Sequence, residues 1–247
     1  MLKAGVLIII GTLSAGAALA AEGEIALRKS DTDIKSTESL QRGARNFMNY
    51  CSGCHSLHYL RYNRMATDLN IPEAELVKNL IFSGAKPFEE INTGLSPNDA
   101  TEWFGKPPPD LTLMARERGP DYIYSYLKGF YADKTRPWGV NNLYLPGTAM
   151  PHVLYALQGL QKPVFKNETD PHGNASMVLV DVAEMTPGAM KPEEYDDFVR
   201  DIANFLDYAA EPVKNTRQTM GIFVMLFLLV FFVFAYMLKK EYWKDVH

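Results

Sequence analysis

"FMNYCSGCHSLHYLRYNRM", residues Phe47–Met65, holds both cysteines of a 247-residue chain. Cys51 and Cys54 stand three apart, and His55 follows directly. A disulfide across so short a loop would remove little entropy from an unfolded domain of this size. A redox pair of the thioredoxin kind belongs in a βαβ context, which the pattern around these residues does not offer. Zinc would need further soft ligands, and there is no third cysteine. The remaining reading uses all three residues. On a helical turn, positions 51, 54 and 55 share one face, so two thiolates can reach the two vinyl groups of one haem while His55 meets the iron from below. Gly53 leaves that approach free of a side chain. C-x-x-C-H is the attachment signature of haem c.

The two ends of the chain say where such a group would be carried. Lys3, the apolar run Ala4–Ile10 and the small residues up to Ala18-Leu19-Ala20 form the pattern of a secretory signal peptide over residues 1–20. The alternative is an uncleaved N-terminal anchor. At the other end "MGIFVMLFLLVFFVFAYML", Met220–Leu238, has no charge and is long enough to cross a bilayer as a helix. Tyr236, Tyr242 and Trp243 suit the interfacial belt, and Lys239, Lys240 and Lys244 lie beyond it. The expected order is an exported domain at 21–212, a linker at 213–219, a span at 220–238 and a cytoplasmic tail at 239–247. The formal net charge is −4 with no basic stripe, which speaks against nucleic acid and permits a basic protein partner.

Between the ends, two stretches keep the rhythm of an amphipathic helix. Leu40, Ala44, Phe47, Met48 and Cys51 share one face from Ser39 to about Ser52. Tyr195, Phe198, Val199, Ile202, Phe205, Leu206 and Ala209 share another, with Pro192 suited to its first turn and Pro212 to its end. Short helices are expected at Pro72–Phe82 and Asp121–Gly129, and a little β structure around Ser176–Val182. Proline-rich punctuation at "KPPPD" (106–110), "RGPD" (118–121), "LPGTAMP" (145–151) and "MTPGAMKP" (185–192) separates them. The expected fold is mainly α, a helical globule with long ordered loops and one C-terminal transmembrane helix. Loops of that length are usually functional or wrapped around something.

An iron held by His55 alone could bind small molecules, whereas one capped on both sides passes electrons. Methionine opposite histidine raises the reduction potential. Met150, Met185 and Met190 lie in loops of suitable distance, and spacing leaves Met150 and Met190 both open. His58, His152 and His172 are the bis-histidine alternatives.

In order along the chain, "LQRGARNFMNYCSGCHSLHYLRYNRM", "KPPPDLTLMARERGPDYIYSYLKGFY", "LPGTAMPHVLY" and "VRDIANFLDYAAEP" resemble the haem-attachment helix, proline-rich loop, ligand loop and last helix of the cytochrome c1 family. The resemblance implies a cytochrome c-like domain with one haem c bound covalently by Cys51 and Cys54, with His55 as proximal ligand and Met150 as its partner. It also implies Arg118 at a haem propionate with Tyr122 nearby, and Pro108 and Pro109 walling the haem edge. The implied role is a membrane-anchored monohaem cytochrome in a ubiquinol–cytochrome c reductase, with no bond-making catalysis of its own. It would pass single electrons from a Rieske iron–sulfur protein to a soluble cytochrome c, beside a cytochrome b subunit in a dimeric multisubunit complex. The implied place is a bacterial cytoplasmic membrane, crossed once, with the haem domain on the periplasmic side.

The rival readings are a haem sensor with an open sixth position and a tethered thiol–disulfide oxidoreductase. One departure from the family is Trp103-Phe104-Gly105, where many relatives place Asn-Gly; an aromatic wall is expected instead. The segment at 158–178 has no counterpart, and its N-x-[ST] matches at Asn167 and Asn174 carry little weight. Glu193, Glu194, Asp196 and Asp197 could steer a basic partner, although a solvated face with favourable charge at the helix start is the preferred account of them.

Overall fold

A computed structural model describes residues 25–169 and 175–245. The expected signal peptide, His172 and Asn174 lie outside the described residues. Nine helices and six strands appear among those described, with the strands in three antiparallel pairs. The chain is about half helical, and the loops expected between helices hold more β structure than the sequence pattern suggests.

α1 (Thr37–Tyr50) starts where Ser36 accepts the Ser39 amide, and its apolar stripe buries Leu40, Ala44, Phe47 and Met48. β1 (Leu57–Arg61) runs into α2 (Tyr62–Asp68), and α3 (Glu73–Asn79) is a shorter version of the helix expected at 72–82. β2 (Glu90–Ile91) pairs with β1. α4 (Pro97–Phe104) is capped by Ser96 and leads into the proline loop. α5 (Met114–Arg118) and α6 (Pro120–Lys128) meet at Gly119, and α6 buries Ile123, Tyr124 and Leu127. β3 (Phe130–Ala132) and β4 (Val140–Asn142) form a small hairpin, followed by α7 (Tyr155–Gln158).

β5 (Gly159–Thr169) and β6 (Ala175–Pro187) pair over their full length, where only a little strand was expected around residues 176–182. α8 (Pro192–Ala210) is the second periodic helix, with Pro192 in its first turn. α9 (Lys214–Tyr242) has 29 residues, about 43 Å at the α-helical rise, and its apolar side chains are exposed along its whole length. Only lipid or protein can cover such a surface, and the helix is long and apolar enough to cross a membrane. Residues 214–219, expected as linker, are its first turns.

The core is built on α1 crossing α8. Phe47 and Phe205 meet with ring centroids 5.7 Å apart, both fully buried beside Leu57, Met65, Val199 and Ile202. Each such side chain contributes about 1.5–3 kcal/mol. Gly43 faces α8 at the crossing. A Cβ there would fall 2.6 Å from Phe205 Cβ and closer still to the Asp201 carbonyl oxygen. Helix propensity alone would favour alanine at this position by about 1 kcal/mol. The obstructing atom is main chain and cannot step aside, so overpacking of about 1–3 kcal/mol prevails. Gly43→Ala is therefore expected to lower the thermal midpoint of the haem-loaded, detergent-solubilised protein, read by circular dichroism.

Ahead of α1 an extended strap lies across α6 and α8. The Ser30 amide and hydroxyl donate to Asp121 Oδ1 at 2.8 and 2.7 Å, and Lys29 Nζ reaches Oδ2 at 2.8 Å. Arg200 Nε and Asn204 Nδ2 donate to the carbonyls of Ser30 and Asp33. Partial burial acts to raise the Asp121 carboxyl, but Lys29 and Ser30 outweigh it and hold it at about 2, below the ordinary 3.8. A depressed carboxyl stabilises fully above its unfolded value and ceases to do so as pH falls through the folded one. Amides of residues 28–30 are expected to lose hydrogen-exchange protection between about pH 4 and pH 2 in the native chain. In Asp121→Asn they should be less protected at neutral pH and lack that transition.

Candidate haem site

α1 ends at Tyr50, so the C-x-x-C-H motif sits on the turns just beyond the helix. Cys51 is the C-cap and keeps helical dihedrals, and the Cys54 and His55 amides both donate to its carbonyl, at 3.0 and 2.9 Å. The motif therefore winds as one tight turn that brings positions 51, 54 and 55 together. Cys51 is buried, Cys54 is half-buried, and no disulfide joins them. Burial, with Cys54 close by, pushes the Cys51 thiol up to about 12. A Cβ on Gly53 would meet nothing within 4 Å.

His55 Nδ1 lies 2.8 Å from the Pro109 carbonyl oxygen. A carbonyl only accepts, so Nδ1 carries the proton and Nε2 keeps its lone pair for a metal. Burial lowers the imidazole pKa against the opposing pull of the Pro109 carbonyl and Asp110, which favours the neutral ring a ligand needs. The proline loop is fastened to the motif. Leu111 N donates to Ser56 O at 3.0 Å, His58 N to Asp110 Oδ2 at 2.9 Å, and Thr93 Oγ1 to Gly53 O at 2.8 Å. Asp110 closes the loop on itself by accepting the Thr112 amide. Pro109 thus orients His55 through its main chain while its ring is exposed, and Pro108 is half-buried. Two unpaired thiols, an oriented imidazole and an open face at Gly53 fit a covalently held haem.

Met150 is half-buried against the same apolar cluster that contains Cys51, and so is Met190. Met185 lies on β6 and is 48% exposed. The two residues flanking Met150 at a distance of two are both buried. Thr148 Oγ1 shares a 2.7 Å hydrogen bond with Tyr126 Oη, and the His152 ring lies parallel to Phe130 at 4.8 Å. Burial pushes His152 down to about 4. His58 is exposed and paired with Asn92. The Arg118 guanidinium is exposed and sits 5.0 Å over the Tyr122 ring, which stacks in turn on Tyr126. Of the expected aromatic wall, Phe104 leans on Trp138 at 5.6 Å, whereas Trp103 faces solvent.

A family model described as Cytochrome C1 family matches residues 31–246. The chain belongs to the cytochrome c1 family. A cytochrome c1 of Allochromatium vinosum is 51% identical over 95% of this chain and 96% of its own length. The ammonia monooxygenase gamma subunit of Nitrosomonas europaea is 40% identical over 91% of this chain and 90% of its own. A cytochrome c1 of Rhodospirillum rubrum is 27% identical over 100% and 96%. As a cytochrome c1 family member the chain is a haem c protein of respiratory electron transport, with one covalently bound haem c. It is a subunit of the complex that also contains cytochrome b and the Rieske protein.

Sequence reasoning missed Ser56, Thr93, Asp110, Tyr126, Phe130 and Thr148, whose partners lie 22 to 55 residues away. Only Asp110 left a local sign, an aspartate directly after three prolines where an Asx turn is natural. Cys51→Ala is expected to retain one haem per chain through Cys54 and His55. Its pyridine haemochrome band should move to longer wavelength, because one vinyl group stays unsaturated.

Proposed function

We propose that this cytochrome accepts single electrons from the Rieske protein of its complex and donates them to a soluble cytochrome c, with the iron clasped between His55 and Met150. The observation that carries this reading is the hydrogen bond from His55 Nδ1 to the Pro109 carbonyl beside two thiols that form no disulfide. Haem supplies the one-electron ferric–ferrous couple. Cys51 and Cys54 anchor its edge, and His55 presents Nε2 from a ring fixed by the proline loop. Met150 would hold the iron together with His55, and a thioether ligand added to imidazole would favour reduced iron, which suits a late, oxidising position in a chain. Arg118 offers a charge-assisted donor to a propionate, with Tyr122 holding it in place. Pro108 supplies an apolar edge near the surface.

The haem domain belongs on the periplasmic side of a bacterial membrane, since Lys239, Lys240 and Lys244 follow the span and suit the cytoplasm. The working complex is a dimer. Three of the carboxylates that open α8 have partners inside the chain, which favours a helix-start role over the steering of a basic partner. Glu194 accepts the Lys191 amide at 3.0 Å, Asp196 pairs with Lys128, and Asp197 pairs with Arg200.

The test is a visible spectrum of Met150→Leu beside the native protein. Loss of the methionine-to-iron charge-transfer band, a lower reduction potential and rapid carbon monoxide binding by the reduced variant are the expected results. A band that persists would move the assignment to another ligand. Rapid carbon monoxide binding by the native protein would favour a sensor with an open sixth position.

A further inference from the structure

Met150 sits between two fastened neighbours, and both fastenings rise from one short stretch. Thr148 is 7% exposed and shares its hydroxyl hydrogen bond with Tyr126 near the end of α6. His152 is also 7% exposed, and its ring lies on Phe130, the first residue of β3, at an interplanar angle of 4°. Tyr126 and Phe130 meet edge to face at 5.2 Å. A third tie comes through Asn142, which is fully buried. Its Nδ2 donates to the Tyr126 carbonyl at 2.8 Å, while its Oδ1 accepts the Tyr144 and Leu145 amides at 2.9 and 3.3 Å. Tyr126 therefore grips the ligand loop twice, by main chain at residues 142–145 and by phenol at residue 148. Burial pushes the phenol up to about 12, so it keeps its proton throughout the working range.

We infer that Tyr126 is the positioning residue for the Met150 sulfur, and that its hydroxyl, acting through Thr148, keeps the sixth position closed to external ligands. The inference rests on Met150 being that ligand. A neutral thioether is a weak partner for iron beside any free imidazole. It holds the position by being presented at high effective concentration, with little freedom left to lose. Swinging Met150 away requires the loop to leave, and the loop cannot leave without breaking a partly buried hydrogen bond or peeling His152 off Phe130. Tyr126 so decides whether the iron passes electrons or captures small molecules, without touching it.

Tyr126→Phe keeps the ring, its stack on Tyr122 and its edge on Phe130, and removes only the hydroxyl. Thr148→Val removes the partner at nearly constant shape, and Thr148→Ser restores it. Full-length, haem-loaded protein in detergent is titrated with imidazole in the ferric state, following loss of the methionine charge-transfer band. Tyr126→Phe and Thr148→Val are each expected to bind imidazole about three- to tenfold more tightly than native. The double variant should gain no more than the larger single effect, and Thr148→Ser should stay near native. Variants that melt earlier yet bind imidazole within about twofold of native would reduce Tyr126 to a packing residue and overturn the inference. So would a Thr148→Ser variant that behaves like valine. Met150→Leu separates the two levels. If its band survives, the ligand assignment fails; if its band is lost while the Tyr126 and Thr148 variants match native, only the positioning role fails.

Discussion

Everything in the haem domain is referred to one close helix crossing. α1 and α8 approach through Gly43, which has no side chain to hold them apart, and the gap so closed contains a buried carboxylate. Asp201 accepts from Ser39 Oγ at 2.7 Å and from Arg42 Nε and Nη2 at 2.6 and 2.9 Å. Asn204 links the same serine to the strap through Asp33. A carboxylate removed from water is tolerated only with such partners, and losing one leaves a cost of several kcal/mol. The crossing thus has an apolar half, Phe47 on Phe205, and a polar half that accepts one register. Since Cys51 caps α1, fixing that register fixes where both thiols stand relative to the core.

Much of this was legible in the sequence because it is local. C-x-x-C-H needs neighbours only one to four residues apart, and the stripes of α1 and α8 are set by the 3.6-residue period. What stayed hidden has physical causes. β5 and β6 pair through two bulges, at Leu160/Gln161 and Val164/Phe165, and Pro163 interrupts the run, so no clean alternation was visible. The residues before the span, Lys214 to Thr219, are polar and show no apolar rhythm. They are helical because Lys214 reaches Asp207 at 2.8 and 2.9 Å and Arg217 pairs with Glu211, contacts that exist only once α8 is in place. The ligand loop is the same kind of case. A Tyr–Thr bond across 22 residues leaves no periodic trace.

The proline loop adds a role that the resemblance does not name. Pro108 and Pro109 read as apolar walls. Pro109 also acts through its carbonyl, which proline presents with a fixed φ and no competing amide hydrogen of its own. Asp110 then ties the next residues back to His58 and Thr112. An imidazole that must remain neutral and keep one orientation is served better by a carbonyl than by a carboxylate, which would draw the ring toward its charged form.

The two ion pairs at the bend between α8 and α9 extend this logic to the membrane. Asp207 is 8% exposed, so its bond to Lys214 is shielded from the screening that weakens most surface pairs. Pro212 ends the first helix, and two residues later the second begins. A tether of two or three residues with neither pair would let the domain swing. With both pairs across the bend, α9 is tied to the helix that α1 meets at Gly43. The thiols at the end of α1 are thereby connected to α9 through two sets of contacts, α1 on α8 and α8 on α9. For a one-electron carrier within a membrane complex, a defined position is what its own chain can provide.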